Sequence, residues 1–409
     1  MMRCGLLGEK LGHSYSPQIH AMLGNYKYDL IEKTPQEAAD FLRHGDFDGL
    51  NVTIPYKKLA FQCCAKVTDR ALRIGSVNTI VRQRDGSLLG DNTDYDGFAY
   101  MLTQSGVDVA GRKVLVLGSG GASLTVQTVL HDLGARVIVI SRGGTDNYQN
   151  LDRHRDASVI VNTTPVGMYP NNGESPVNLS NFPSCVGVLD LIYNPARTKL
   201  LQDAASRGIR HVGGITMLVA QGRRAAELFT GSAIPTTETA HIVRELQREM
   251  ENIILIGMPG SGKSTAGQAL ATLLRRPFFD ADVELARTAG RTIPEIFSTE
   301  GETGFRERET RILSELGKKS GIVLATGGGC VTRPENEPIL RQNGRLVWLI
   351  RNWRDLPTDG RPLSKSGNLA EMERIRTPMY HQFADFSVEV SANPSETAAR
   401  IAALFHDFF

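Results

Sequence analysis

Short apolar runs of strand length alternate with amphipathic, helix-patterned stretches along the whole chain. "KVLVLG" (113–118), "NIILIG" (252–257) and "RLVWLI" (345–350) are three such runs. This alternation is the signature of β-α-β units and parallel sheets, so both halves read as α/β. No run approaches the ~18 apolar residues of a spanning helix. From Ile234, the stretch "IPTTETAHIVRELQREMENIILIG" offers threonine caps, then Ile242, Val243 and Leu246 at helical spacing, then a strand. It holds no Gly/Ser linker. A boundary is therefore expected near residue 249, with a helix of the first half leading almost directly into the first strand of the second.

Composition narrows the functional classes. A chain of 409 residues exceeds what one hydrophobic core usually serves and predicts two or three domains. A net charge of +2 gives no overall field for nucleic acid or membrane, so neither is an expected partner. Five cysteines, odd in number and without C-x-x-C spacing, read as reduced thiols. The opening "MMRCGLLGEKLGHSYSPQ" lacks the apolar core and cleavage site of a secretion signal. A cytoplasmic protein is expected; its oligomeric state is left open.

The strand "NIILI" runs into Gly257-Met-Pro-Gly-Ser-Gly-Lys263-Ser264, which satisfies G-x-x-x-x-G-K-[ST] between a strand and a helix. Backbone N–H groups of Gly260, Ser261 and Gly262 can turn toward phosphates, and the following helix, with Thr265 in its first turn, adds its positive end. Lys263 would reach the β/γ-phosphates and Ser264 would hold Mg²⁺, which makes ATP with Mg²⁺ the expected ligand.

A phosphate cradle leaves the acceptor unnamed. Asp280 and Asp282, in "FFDADVEL", are expected to leave a strand end and project to one side of the sheet's mouth; capping of the next helix is the alternative. Phe305 and Arg306, in "EGETGFRERET", are expected before a helix, and Arg376, in "RIRTPMYHQFAD", at the start of one. Gly327, Gly328 and Gly329 allow close approach of backbone to a ligand. In "DGRPLSKSG", Arg361 is placed to act as a lid arginine over the nucleotide.

Together, "GMPGSGKST", Asp280/Asp282, "FRERE", the triple glycine, "RPL" and "RxPxYxxxAD" resemble shikimate kinase over residues 250–409. The resemblance implies that Asp282 bonds the ring hydroxyls and acts as base or orienting group, and that Asp280 helps order the metal's waters. It also implies that Arg306 and Arg376 pair with the substrate carboxylate and that Gly328 contacts the ring. Two guanidinium forks on one carboxylate suit bidentate recognition.

In the first half, "GRKVLVLGSGGASLTVQTVLHDLGARVIVISRGG" reads as strand, glycine turn (Gly118, Ser119, Gly120, Gly121, Ala122), helix and second strand. The last glycine of G-x-G-x-x-G is replaced by Ser123. Ser141 and Arg142 stand where an acid would bind a free ribose 2′-hydroxyl, which predicts NADP(H) rather than NAD. Upstream lie four polar clusters: "HSYSP" (Ser14, Ser16), "NVTIPYKK" (Asn51, Thr53, Lys57), "GSVNT" (Asn78) and "GDNTDYDG" (Asn92, Asp94). Such groups can grip a polyhydroxylated acid; taken singly, each also serves a turn.

With "YNPARTKLL" around Tyr193, "GGITMLVAQG" around Gly214 and Gln221, and the turn "NTTPVGM", these clusters resemble shikimate dehydrogenase over residues 1 to about 249. The resemblance implies that Ser14, Ser16, Asn51, Thr53, Asn78, Asp94, Tyr193 and Gln221 hold substrate, that Gly214 lies along the cofactor, and that Lys57 and Asp94 form the catalytic pair. Expected domains are 1–100 with helices returning at about 217–249, a Rossmann NADP domain at 101–216, and a P-loop kinase domain resembling the nucleoside-monophosphate kinases at 250–409. The expected substrates are 3-dehydroshikimate and shikimate, on the route to chorismate and the aromatic amino acids. Two alternatives stand beside this: a quinate- or shikimate-sensing regulator built from inactivated domains, and a neighbouring substrate such as quinate.

Overall fold

The computed structural model describes residues 1–12, 14–356 and 369–407. Its strands form three sheets. The first is mixed: β1 (Arg3–Gly8), β2 (Lys27–Glu32), β3 (Gly49–Val52), β4 (Lys66–Val67), β5 (Thr79–Arg82) and β6 (Leu88–Asp91), in the order β2-β1-β3-β5-β6-β4. β1 pairs in parallel with β2 and β3, whereas β5 runs antiparallel to β3 and β6. Reversing β5 brings the end of β3, the start of β5 and the end of β6 to one edge of the sheet.

The second sheet is all parallel: β7 (Lys113–Leu117), β8 (Arg136–Ile140), β9 (Val159–Asn162), β10 (Gly187–Asp190) and β11 (Arg210–Gly213), ordered β11-β10-β9-β7-β8. The order reverses between β7 and β9, and a crevice at the carboxyl ends of such a pair is where open α/β sheets take ligands. The third, also parallel, holds β12 (Asn252–Ile256), β13 (Phe278–Asp280), β14 (Val323–Ala325), β15 (Gly344–Ile350) and β16 (Phe386–Glu389), ordered β13-β14-β12-β15-β16. Every residue of central β12 is buried, as expected of a strand covered on both faces. Its side chains alternate between two cores: Ile253 and Leu255 join one, Ile254 and Ile256 the other.

By packing, Met1–Val166, Ser175–Tyr193 and Asp203–Arg244 form one compact unit, and Gly167–Glu174, Asn194–Gln202 and Glu245–Phe409 the other. In the first unit the helix Asp94–Ser105 crosses the helix Ile215–Thr230 closely, because a Cβ on Gly97 would lie 2.7 Å from the Met217 carbonyl oxygen. Among the described residues no helix is long and apolar enough to cross a membrane.

Candidate functional site

The first sheet's shared edge assembles the polar clusters of the first half. Asn51 of β3 is in register with Thr79 of β5, and Thr79 with Asp91 of β6, so Asn51, Asn78 and the turn Asn92-Thr93-Asp94 converge although up to 43 residues separate them. Lys57 opens the helix Lys57–Cys63 and Asp94 opens the helix Asp94–Ser105. Lys57 Nζ donates to Asp94 Oδ2 at 2.5 Å, with both side chains largely shielded from solvent.

Behind this pair lies a buried hydroxyl–amide network. Tyr28 Oη donates to Asn51 Oδ1 (2.8 Å), Asn51 Nδ2 to Thr79 Oγ1 (3.1 Å), and Thr79 Oγ1 meets Thr93 Oγ1 at 3.0 Å. The Thr93 backbone N–H donates to Asn78 Oδ1 (2.7 Å), and Thr93 Oγ1 also approaches Gln221 Oε1 at 3.4 Å. His20 stacks on Tyr28 at 4.0 Å, and its Nδ1 lies 2.6 Å from Tyr26 Oη. Burial pushes the His20 imidazole down to about 3, with the nearby Asn51 amide opposing the shift, so it is neutral at physiological pH.

Ser14 and Ser16 follow β1, the Ser16 backbone N–H donating to Ser14 Oγ. Thr53 follows β3, its N–H bonded to the Leu7 carbonyl. Tyr193 packs edge-on against Tyr15, with ring centroids 6.1 Å apart. Thr79, Thr93, Tyr28 and Tyr15 were not singled out from the sequence. Only the adjacency of Thr79 to Asn78 and of Thr93 to Asp94 pointed to the first two.

At the second sheet's switch point, Gly118 leaves β7 with φ +105°, a conformation that favours glycine. A Cβ there would lie 2.8 Å from Thr163 Oγ1, on the turn after β9. Ser119, Gly120 and Gly121 are exposed, and Cβ atoms built on Gly120 and Gly121 would meet only open space, so the start of the helix Gly121–Asp132 is clear for a ligand. Ala122 sits half-buried in its first turn. Ser123 is fully buried and donates to the Gly118 carbonyl at 2.7 Å, stitching helix to turn where the fingerprint has glycine. Ser141 and Arg142 follow β8 directly, and Arg142 is exposed with no carboxylate partner among the described residues. Gly214 N-caps the helix Ile215–Thr230.

In the second unit, a cavity of about 470 Å³ opens at the carboxyl ends of β12, β13 and β14. The turn after β12 uses left-handed glycines at Gly260 and Gly262 and hands over to the helix Lys263–Leu274. Buried Lys263 folds back, Nζ donating to the carbonyls of Gly257 and Met258 at 2.9 Å each. Ser264 Oγ donates to Asp280 Oδ2 at 2.5 Å. Gly260, Gly262, Lys263, Ser264 and Thr265 line the cavity; Ser261 is fully buried beneath it.

Three local expectations are corrected. Asp280 and Asp282 do not both leave a strand: β13 ends at Asp280, whose side chain caps the helix Ala281–Ala289 by accepting from the N–H groups of Asp282 and Val283. Asp282 therefore reaches the cavity from a helix's first turn. Phe305 and Arg306 lie inside the helix Ile293–Gly317, which is broken only at Gly301 (φ +68°). Arg376 lies in the middle of the helix Leu369–Phe383, not at its start. Arg361 falls outside the described residues.

Asp282, Arg306, Gly328 and Arg376 line the same cavity. Buried Arg306 donates from Nη1 to Glu309 Oε2 at 2.7 Å, and Arg376 Nη1 donates to the Gly328 carbonyl at 3.2 Å beside the Tyr380 hydroxyl. Burial, with the Asp280 and Glu309 carboxylates adding to it, pushes Asp282 up to about 6; Lys263 and Arg306 oppose the rise. The triple glycine makes room for these groups. A Cβ on Gly327 would lie 2.2 Å from Glu309 Oε1, and one on Gly328 2.6 Å from Pro259 Cδ. Glu309 and Tyr380 were legible only as letters within quoted motifs. Arg351 was missed; it lines this cavity and a second hollow of about 920 Å³ between the ends of β15 and β16.

Comparison with known proteins follows the same division. Residues 6–80 match the shikimate dehydrogenase substrate binding domain, and residues 259–405 match shikimate kinase. The chain is 35% identical over 265 residues to the NADP(+) shikimate dehydrogenase of Clostridium perfringens, spanning 59% of this chain and 97% of that one. The solved chorismate mutase/shikimate 5-dehydrogenase fusion protein of Clostridium acetobutylicum superposes with a TM-score of 0.57 at 35% identity, over 60% of this chain and 97% of that one. The Thermus thermophilus shikimate 5-dehydrogenase, solved in complex with NADP(H) and shikimate, gives 0.55 at 32% identity, over 60% and 99%.

Proposed function

We infer the division of labour from a premise now in hand: this chain belongs to the shikimate dehydrogenase family and carries a shikimate kinase domain behind it. It is a bifunctional enzyme of the shikimate pathway, and the two halves take consecutive steps: reduction of 3-dehydroshikimate to shikimate, then phosphorylation of shikimate to shikimate 3-phosphate. The hydroxyl that the first half creates belongs to the acceptor of the second. The proposed domains are 1–100 with the returning helices at about 217–249, 101–216, and 250–409. A cytoplasmic setting suits both nucleotides and five free thiols.

Reduction of a ketone needs a proton delivered to oxygen as hydride reaches carbon. The residues fit NADP(H): an open glycine turn at the switch point, with exposed Arg142 at the end of β8 for a 2′-phosphate. When bound, it supplies the hydride. Lys57 delivers the proton to the ketone oxygen. Asp94, bonded to Lys57, holds it in register and accepts from a ring hydroxyl. Ser14, Ser16, Asn51, Thr53, Asn78, Tyr193 and Gln221 grip the rest of the ring.

In the kinase half, the left-handed glycines and Lys263 fit the phosphates of ATP, and the Ser264–Asp280 pair fits a Mg²⁺ ion. No cluster of three metal-ligating side chains occurs among the described residues, which agrees with an ion held chiefly by phosphate and water. Arg306 and Arg376 pair with the ring carboxylate, Gly328 approaches the ring, and Asp282 orients the acceptor hydroxyl and takes its proton. Arg361 is assigned to the lid by resemblance alone.

The observation that carries this reading is the contact of Lys57 with Asp94 at 2.5 Å, which sets an ammonium proton donor beside the carboxylate that orients it. The test is a coupled assay of the full chain with 3-dehydroshikimate, NADPH, ATP and Mg²⁺, following shikimate 3-phosphate. Lys57→Ala should abolish reduction and still phosphorylate supplied shikimate, while Lys263→Ala should do the reverse. Reduction at the parental rate by Lys57→Ala would remove the proton donor from the scheme.

A further inference from the structure

We propose that Thr79, which makes no hydrogen bond to Lys57 or Asp94 among the described residues, is a positioning residue that sets which way the Asn51 amide faces in the dehydrogenase cleft and steadies the Asn78 amide beside it. The inference rests on the reading of that cleft given above and deepens it.

An asparagine side chain presents an acceptor at one end and donors at the other, and its two orientations are nearly the same shape. Something must choose between them. Among the described residues, every bond that Asn78 makes through its amide ends on Oδ1, which accepts from the Thr79 hydroxyl (3.1 Å) and the Thr93 N–H (2.7 Å) and lies 3.2 Å from the Thr93 hydroxyl oxygen. With the oxygen consumed inside the protein, the amide nitrogen is the end left for a ligand. Asn51 is fixed from both sides, Oδ1 accepting from Tyr28 and Nδ2 donating to Thr79.

Thr79 Oγ1 is the atom common to both amides and to Thr93. It is fully buried, as is Thr93, so water cannot substitute for it. Thr93 shows how far the network is favoured over local capping. It is the N-cap residue of the helix that Asp94 opens, a position where threonine usually accepts from the helix's own N–H groups, yet its hydroxyl makes no cap bond and points into the network. The helix start that carries Asp94 is thereby tied to the hydroxyl that orients the amides. Without that hydroxyl, Asn78 Oδ1 loses one donor but is still held by the Thr93 N–H, whereas Asn51 Nδ2 loses its acceptor, and the Asn51 amide can turn because the Tyr28 hydroxyl can donate or accept.

Thr79→Val keeps the shape and removes the hydroxyl, while Thr79→Ser keeps the hydroxyl and removes a methyl. In the full chain, Thr79→Val should raise KM for 3-dehydroshikimate about tenfold, the loss of roughly one good hydrogen bond, while KM for NADPH moves less than about twofold. Thr79→Ser should restore the ring KM. A parental ring KM in Thr79→Val overturns the proposal, as does an equal rise in both KM values or failure of serine to rescue. Should the valine variant not fold, Thr79→Ala decides: it removes the same hydroxyl without placing a new methyl in the network, and a parental ring KM overturns the proposal. Lys57→Ala run alongside separates the two levels. If it too reduces normally, the cleft itself is misread; if it is dead while Thr79→Val is parental, only the role of Thr79 fails.

Discussion

The guanidinium of Arg306 occupies the space a side chain at Gly329 would need: a Cβ built on Gly329 would lie 2.0 Å from Nη2 and 2.2 Å from Cζ. The backbone of Gly329 is ordinary, with φ −103°, so glycine is required there for room and not for conformation. Gly329→Ala should therefore act through Arg306, forcing it off Glu309 and out of line with the ring carboxylate. KM for shikimate should rise about tenfold or more while KM for ATP changes little. A shikimate KM unchanged by the alanine would mean that Arg306 does not bind the acceptor.

The role proposed for Asp282 would link kinase activity to pH. Its carboxyl is raised from 3.8 to about 6, chiefly by burial, with Asp280 and Glu309 adding repulsion. An acid that binds its proton more tightly folded than unfolded contributes stability below about pH 4, and that contribution is lost as pH rises through 6. Activity runs the other way, because a group that must accept a proton is ready only once ionised. Kinase kcat/KM should climb through about pH 6 while the second unit's unfolding temperature declines over the same interval. Asp282→Asn should abolish both trends. An acid limb that stays near pH 6 in the asparagine variant would assign it to another group.

What was legible in the sequence was what neighbouring residues determine. The glycine turns after β7 and β12 sit between strand and helix as their spacing predicts, because a tight turn is fixed by the residues inside it. Helix boundaries failed where local signals compete. Pro378 favours a helix's first turn by intrinsic geometry, yet it lies inside Leu369–Phe383 and so carries Arg376 to mid-helix. At Asp280 a strand of three residues gave way to a helix capped by that same side chain, so strand periodicity could not place Asp282. The network joining Asn51, Thr79, Thr93 and Gln221 was invisible because strand register and the packing of the helix Ile215–Thr230 create it, across separations of 14 to 128 residues.

Gly214 tests the packing behind the first site. A Cβ there would lie 2.0 Å from the Leu191 carbonyl oxygen and 2.9 Å from the Ile192 carbonyl carbon, both backbone atoms that cannot swing aside. Its φ of −66° suits alanine, so the whole effect of Gly214→Ala should be overlap. Such crowding costs about 1–3 kcal/mol. Calorimetry should show a lower unfolding temperature for the dehydrogenase half with kinase turnover intact. An unchanged transition would contradict the close approach of Leu191.

Arg142 is the residue proposed to decide between the two nicotinamide dinucleotides. It is exposed, follows β8 directly, and stands beside Ser141 where an acid would otherwise meet a free ribose. A guanidinium facing a phosphate makes charge-assisted bonds worth roughly 1.5–3 kcal/mol, and it has no comparable use for a hydroxyl. Arg142→Ala should therefore raise KM for NADPH about tenfold and leave KM for NADH nearly where it was. Arg142→Asp should go further, because a carboxylate repels the phosphate and accepts from the ribose hydroxyls; it is expected to reverse the preference between the two. Parallel changes in both KM values would show that Arg142 supports the loop and does not read the 2′ position.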